Sequence, residues 1–309
     1  MSHRSLARAD GPPFKFQPFV RLKSPHPVEE SSLSRGASER QTSRALWYPL
    51  FLRAQREKRA NVVCMKWGTR YGPEFVNRLH AMVRRNTTWN IRFVCFTDET
   101  IGIRPEIECQ PLPKFDCNPD LGAHWPKLSL FHRTLGDLEG MTLFLDLDVV
   151  VLDNIDPFFE YEARFCMIRE WKDPHLGYGN SSVVRFFVGL ESTVLDRFYA
   201  TPKDVIISSF KSKEQNFLTR AVDEVSFWPD AWCPAFSRAC LPRTRLLRYF
   251  SRPAPPKDGR ILVFYGAITP VSALRGQHDP AKRRRPGRAL LLGQRRFLPA
   301  KWIGEYWKE

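Results

Sequence analysis

Asp146 and Asp148 stand one residue apart inside the stretch 141–156, MTLFLDLDVVVLDNID. Met141, Leu143, Phe144 and Leu145 lead into the pair, and the apolar run 149–152 follows it. Such a run reads as a strand buried on both faces, as in the middle of a mostly parallel α/β sheet. Carboxylates at its end are costly unless something positive meets them, because an unpaired buried charge is expensive. Strand alternation sends Asp146 and Asp148 to one side with Leu147 opposite. Two hard oxygen donors on one side suit Mg²⁺ or Mn²⁺ bridging to phosphate oxygens. The competing reading is a strand-end turn whose aspartates cap the next helix or pair with an arginine.

Elements on both sides must hold that pair in place. Residues 61–65 (NVVCM) predict a first strand, ending in Lys66-Trp67-Gly68-Thr69-Arg70-Tyr71-Gly72. Pro73 then opens a helix at the position proline favours, with Phe75, Val76, Leu79, Met82 and Val83 as one apolar stripe. Residues 92–96 and 106–110 predict two more strands, and 126–135 a helix leading to the central strand. Further on, 165–168 and 182–187 are strand candidates around a Gly/Asn loop at 177–181. Residues 195–198 look helical, and 213–216 open another helix over 217–222. The run 261–265 (ILVFY) predicts the last strand, and Trp302 and Tyr306, four apart, a short docking helix. Strand and helix alternation of this kind is expected of a parallel sheet flanked by helices.

Charge is unevenly spread. Residues 1–60 hold 12 Lys/Arg against 5 Asp/Glu, residues 272–309 hold 10 against 3, and 61–271 hold 26 against 25. The excess lies in the ends, so the expected organisation is a disordered basic extension over 1–60, a near-neutral globular body over 61–271 and a basic tail with a short docking helix over 272–309. A nucleic-acid domain carries its basic stripe on the fold itself, and no specific nucleic-acid partner is expected. The apolar-then-basic segment 45–59 could rest on an anionic membrane, but Pro49 breaks a helix there and packing onto the domain is the favoured reading. The seven cysteines form no CxxC pair and their number is odd. A reducing, cytoplasmic setting fits them, with the basic ends free to touch the inner face of a membrane. The sequence has no GxxxxGK[ST], no GxSxG and no HExxH.

Taken together, LFLDLDVVV, WGTRYGPEFVNRLHAMVRRN, VCFTD, WPKLSLF, NSSVVRF and WIGEYW resemble bacterial glycosyltransferases of the GT-A type. More distantly they are similar to the galactosyltransferase and glycogenin group. The resemblance implies a single GT-A-like (Rossmann-like) α/β domain, a nucleotide-sugar donor, Mn²⁺ or Mg²⁺, and sugar transfer to a carbohydrate or lipid-linked acceptor. By the same resemblance Asp146 and Asp148 hold the metal, and Asp146, Lys66, Trp67, Gly68, Tyr71, Lys127 and Asn180 meet the donor. Glu214 and Gln215 lie beside the transferred sugar as the catalytic pair, and Glu170 and Trp171 line the acceptor side. The family has Asp where this chain has Glu214. Its last strand leads into His-Gly with a lysine three residues on, where this chain has Tyr265-Gly266 and Thr269. Tyr265 therefore takes the place of a metal-binding histidine, and Arg275 is the nearest replacement for the lysine. Retention of configuration is the expected outcome. Two alternatives stand beside it: a phosphohydrolase of the haloacid dehalogenase type, with Asp146 as nucleophile and Asp148 as acid, and a non-catalytic binder of nucleotide sugars.

Overall fold

The computed structural model describes residues 30–211, 213–279 and 296–309, with side chains from Arg44 onward. The chain divides into two compact units, Met1–Ser43 and Arg44–Glu309. Of the first, only a helical stretch is described. The expectations for residues 1–29, and for 280–295 of the basic tail, fall outside the described residues.

Helix α1 (Glu30–Glu57) runs through Pro49, where the sequence reading expects an unstructured extension and a break. Trp47, Phe51 and Ala54 are buried in the second unit's core, and the Trp47 and Phe187 rings lie 6.1 Å apart. That burial offsets the hydrogen bond proline removes, while Leu46 and Leu52 of the same segment stay exposed.

Seven strands form the main sheet in the order β3-β2-β1-β4-β7-β6-β8. They are β1 (Arg59–Lys66), β2 (Asn90–Thr97), β3 (Glu108–Pro111), β4 (Met141–Leu145), β6 (Cys166–Arg169), β7 (Gly179–Phe187) and β8 (Ser226–Phe227). Pairing is parallel except at β7, which runs against both β4 and β6. β5 (Val150–Val151) pairs instead with β9 (Ile261–Leu262) in a separate two-stranded ribbon. The apolar run 261–265 therefore ends as a short strand beside β5, because hydrophobicity alone does not choose a strand's partner.

Side-chain alternation gives the sheet two faces. Val62, Cys64, Leu143 and Leu145 join one apolar cluster, and Val63, Met65, Val94, Phe96 and Phe144 the other. Strands buried on both sides in this way are continuous apolar runs rather than alternating ones. Helix α2 (Pro73–Arg85) covers the first face with Phe75, Val76, Leu79, Met82 and Val83, the stripe its sequence predicts. α3 (Asp156–Glu160), α7 (Phe236–Ala239), α8 (Pro270–Leu274) and α9 (Ile303–Tyr306) add to that side through Phe158, Phe236, Ala273 and Ile303. α4 (Thr193–Ala200), α5 (Lys203–Phe210) and α6 (Glu214–Ala221) pack on the other, with Phe198, Phe210 and Phe217 in its core. The helix expected over 126–135 is a 3-10 segment, Trp125–Phe131. Its residues 128–131 are all buried, which suits a tight turn wedged into the core better than an amphipathic helix. Among the described residues no helix is long and apolar enough to cross a membrane.

Candidate functional site

The parallel strands β1, β2, β4 and β6 all end at one edge of the sheet, and β7 begins there. Open α/β sheets bind ligands outside the carboxyl ends of their strands. The residues singled out by sequence gather at that edge.

β4 ends at Leu145, and the Asp146 N–H donates to Ser182 O at 2.9 Å. The ladder thus carries one residue past the strand and fixes the backbone of the first aspartate. Val149 N–H then reaches Asp146 O at 3.4 Å, closing a turn around the D-L-D triplet. Leu147 is buried with the core, while the two carboxylates are held by groups from other elements.

Lys127 meets the first of them. The fully buried Trp125 pins the 3-10 segment, its Nε1 donating to Leu121 O at 2.9 Å. Two residues on, Lys127 Nζ lies 2.6 Å from Asp146 Oδ1 and 3.4 Å from Ser181 Oγ. Burial works against the ammonium charge, but Asp146, Glu214 and Asp148 outweigh it and raise the Lys127 pKa. The lysine therefore stays charged across the neutral range.

Asp148 is buried, at 7% exposure, and the Tyr71 hydroxyl donates to its Oδ2 at 2.6 Å. Burial and the neighbouring Asp148 push the phenol's pKa far above its ordinary value. Tyr71 comes from the loop after β1 and packs on Phe75 with ring centroids 4.8 Å apart, so α2 positions the phenol.

On the other side, Ser181 Oγ donates to Glu214 Oε1 at 2.5 Å, and Asn180 Nδ2 donates to Gln215 Oε1 at 3.2 Å. Helix α6 is tied to the start of β7 by Gly179 N–H donating to Thr219 Oγ1 at 2.9 Å. A Cβ at Gly179 would lie 2.3 Å from Met167 Sδ, so a larger residue there would make the thioether shift. The result is a continuous chain of contacts, Asp146–Lys127–Ser181–Glu214, with Asn180–Gln215 beside it.

Other candidates have separate partners. Lys66 is buried and its Nζ approaches Glu99 O at 3.4 Å; Gly68 N–H donates to Asp98 Oδ2 at 2.9 Å; Trp67 packs on the second core. Next to them an open pocket of about 590 Å³ is lined by residues 97–100 and 109–112. Glu170 lies just past β6, its Oε2 accepting from Asp173 N–H at 3.3 Å. Trp171 stacks on Tyr265, centroids 5.5 Å apart at 10°, and the Tyr265 hydroxyl accepts from Arg238 Nε at 3.2 Å. Thr269 is spent on a capping box that starts α8, and Arg275 caps its other end.

As for a metal, among the described residues no three His, Cys, Asp or Glu side chains group so as to hold an ion. Asp146 and Asp148 supply two hard carboxylates. That set fits a Mg²⁺ or Mn²⁺ completed by substrate phosphates and water rather than by an all-protein cage.

No protein-family model matches the chain, and no curated protein does. Solved structures do match, glycosyltransferases among them. A galactosyltransferase, LgtC, crystallised with donor and acceptor sugar analogues is 14% identical, with a TM-score of 0.46; the match covers 79% of this chain and 99% of that one. The bifunctional glycosyltransferase WbbM is 10% identical with a TM-score of 0.44, over 68% of this chain and 46% of its own. Mouse xyloside xylosyltransferase 1 is 11% identical with a TM-score of 0.41, over 66% and 97%.

Sequence reasoning overlooked Ser181 and Asp98. Both lie in runs singled out by sequence, NSSVVRF and VCFTD, but their types are common in turns. Only the approach of α6 and the 66–71 loop gives them partners.

Proposed function

We propose that the chain transfers a sugar from a nucleotide-sugar donor to an acceptor hydroxyl on a carbohydrate or lipid-linked molecule, with retention of configuration. The observation carrying this reading is the Asp146–Lys127–Ser181–Glu214 chain at the carboxyl edge of the sheet. It puts two carboxylates, a largely shielded cation and an amide–carboxylate pair at one edge of the sheet.

In this reading Asp146 and Asp148 would hold Mn²⁺ or Mg²⁺ on the donor diphosphate, with Tyr71 orienting Asp148. The ion, when bound, supplies neutralisation of the charge that builds on the departing nucleoside diphosphate. Lys127 adds a fixed positive charge at the same place, preorganised by Asp146 and Ser181. The 66–71 loop and the pocket next to it receive the nucleoside. Asn180, Glu214 and Gln215 contact the transferred sugar, and Glu170 and Trp171 line the acceptor side. Glu214 is buried and already accepts from Ser181. That favours the departing phosphate, rather than a protein carboxylate, as the base that takes the acceptor's proton. The seven free cysteines, five of them buried, support a reducing, cytoplasmic setting.

A second reading, donor binding without turnover, draws on Tyr265 and Thr269. The first is engaged by Arg238 and Trp171, the second by α8, where a metal ligand and a diphosphate cation are expected.

The test is incubation with Mn²⁺ and a panel of nucleotide sugars, followed by melting temperature, nucleoside diphosphate release and product stereochemistry. Stabilisation and release, both lost in Asp148→Ala, are expected. Phosphate release from phosphomonoesters without sugar transfer would replace this reading with a hydrolase, and stabilisation without release would select the binder.

A further inference from the structure

The near-neutral total over 61–271 conceals a local patch. Between residues 231 and 257 the sequence has six Lys/Arg (Arg238, Arg243, Arg245, Arg248, Arg252 and Lys257) and no Asp or Glu. Within it the 3-10 turn Leu246–Tyr249 and its C-cap Phe250 carry large apolar side chains that face water: Leu246 is 67% exposed, Leu247 52% and Phe250 76%. Arg243, Arg245 and Arg252 are exposed around them. Among the described residues no carboxylate forms an ion pair with any of those three.

The turn is built, not slack. Arg248 Nε donates to Pro242 O at 2.8 Å, and Leu298 N–H donates to Arg248 O at 2.9 Å. Trp302 Nε1 donates to Pro253 O at 2.9 Å. Phe250 N–H and Ser251 N–H both close on Leu247 O. The fold therefore commits several hydrogen bonds to a loop that holds three apolar side chains outward.

We infer that this turn docks on an anionic lipid bilayer, with Leu246, Leu247 and Phe250 entering the interface and the arginines on the headgroup phosphates. Charge complementarity selects that occupant. Arginine on the polar side with Leu and Phe on the other is the composition of interfacial anchors, and each basic residue near an anionic surface gains about fivefold in binding. Three side chains fall far short of the ~1,200 Å² that a stable protein interface buries. This proposal does not depend on the reaction proposed above, since a bilayer contact stands or falls with lipid binding alone.

The experiment is co-sedimentation of the full chain with phosphatidylcholine vesicles, with and without phosphatidylglycerol. Two triple variants accompany it: Leu246→Ser/Leu247→Ser/Phe250→Ser and Arg243→Gln/Arg245→Gln/Arg252→Gln. The wild type binds the anionic vesicles and not the neutral ones, and salt releases it. The arginine variant binds about a hundredfold more weakly, and the serine variant loses about tenfold or more. Both melt with the wild type, because the altered side chains are exposed. A wild type that ignores anionic vesicles overturns the proposal, as does either variant binding like the wild type. Patch-dependent dimerisation, or short nucleic acid that displaces the vesicles, overturns it in favour of that other partner.

Discussion

Lys127 and Asp146, nineteen positions apart in sequence, meet at 2.6 Å over the end of the central strand. The pair is largely shielded from water, so each member neutralises a charge that would otherwise be costly to bury. Lys127→Met leaves Asp146 without its cation and removes positive charge from the proposed diphosphate site. Sugar transfer falls by about 10²–10³-fold while the chain still folds. Turnover measured beside a melting curve checks this, and transfer within a few-fold of wild type would remove Lys127 from the site.

Ser181 links the two halves of the site, touching Lys127 and Glu214. In Ser181→Ala, Glu214 loses its hydroxyl donor at a cost of about 1 kcal/mol. Under the proposed function kcat drops about tenfold, and Ser181→Thr recovers part of it. Steady-state kinetics on the three proteins decides; an unchanged kcat in the alanine variant would make the link merely structural.

Tyr71 contributes to alkaline stability. Its folded pKa is raised, by burial and by Asp148, above the unfolded value of about 10. The contribution is therefore fully present below about pH 10 and is lost as pH rises toward the folded pKa. Tyr71→Phe, which cannot ionise, shows a flatter decline in unfolding free energy above that pH than the wild type. Denaturant titrations on either side of pH 10 give the comparison, and parallel declines would contradict it.

Asp156 acts in the opposite direction. Burial raises its pKa, but Thr87, Thr88 and Asn154 hydrogen bonds prevail and the net shift is downward. Both threonine hydroxyls donate to it at 2.6 Å. Its stabilisation is present above the unfolded pKa near 4 and disappears as pH falls through the lower folded value. Asp156→Ala costs about 2 kcal/mol at pH 7, and the difference from wild type shrinks in acid. Urea denaturation at neutral and acidic pH measures both; a difference independent of pH would place the cost elsewhere.

How much of this was legible depended on the range of the interaction. The run MTLFL showed a doubly buried strand because a strand inside a sheet needs apolar residues on both faces, a requirement written locally, whereas Val150 and Val151 beyond the aspartates went to a separate ribbon. The stripe from Phe75 to Val83 showed a helix for the same kind of reason. Pro49 misled, since its local cost is visible in sequence whereas the burial of Trp47 and Phe51 that offsets it is not. The run 261–265 misled as well, because its partner is a two-residue strand just past the aspartates.

The sequence by itself determined that two carboxylates end a buried strand, which amides and cations were available, and that the seven cysteines lack metal-like spacing. Tertiary structure alone decided that β7 runs antiparallel and brings Asn180 and Ser181 to the end of β4. It also decided that α6 lays Glu214 and Gln215 on them, and that Thr269 serves a helix cap. Pairings between distant segments depend on strand order and packing direction, and neither is encoded in the spacing of residues along the chain.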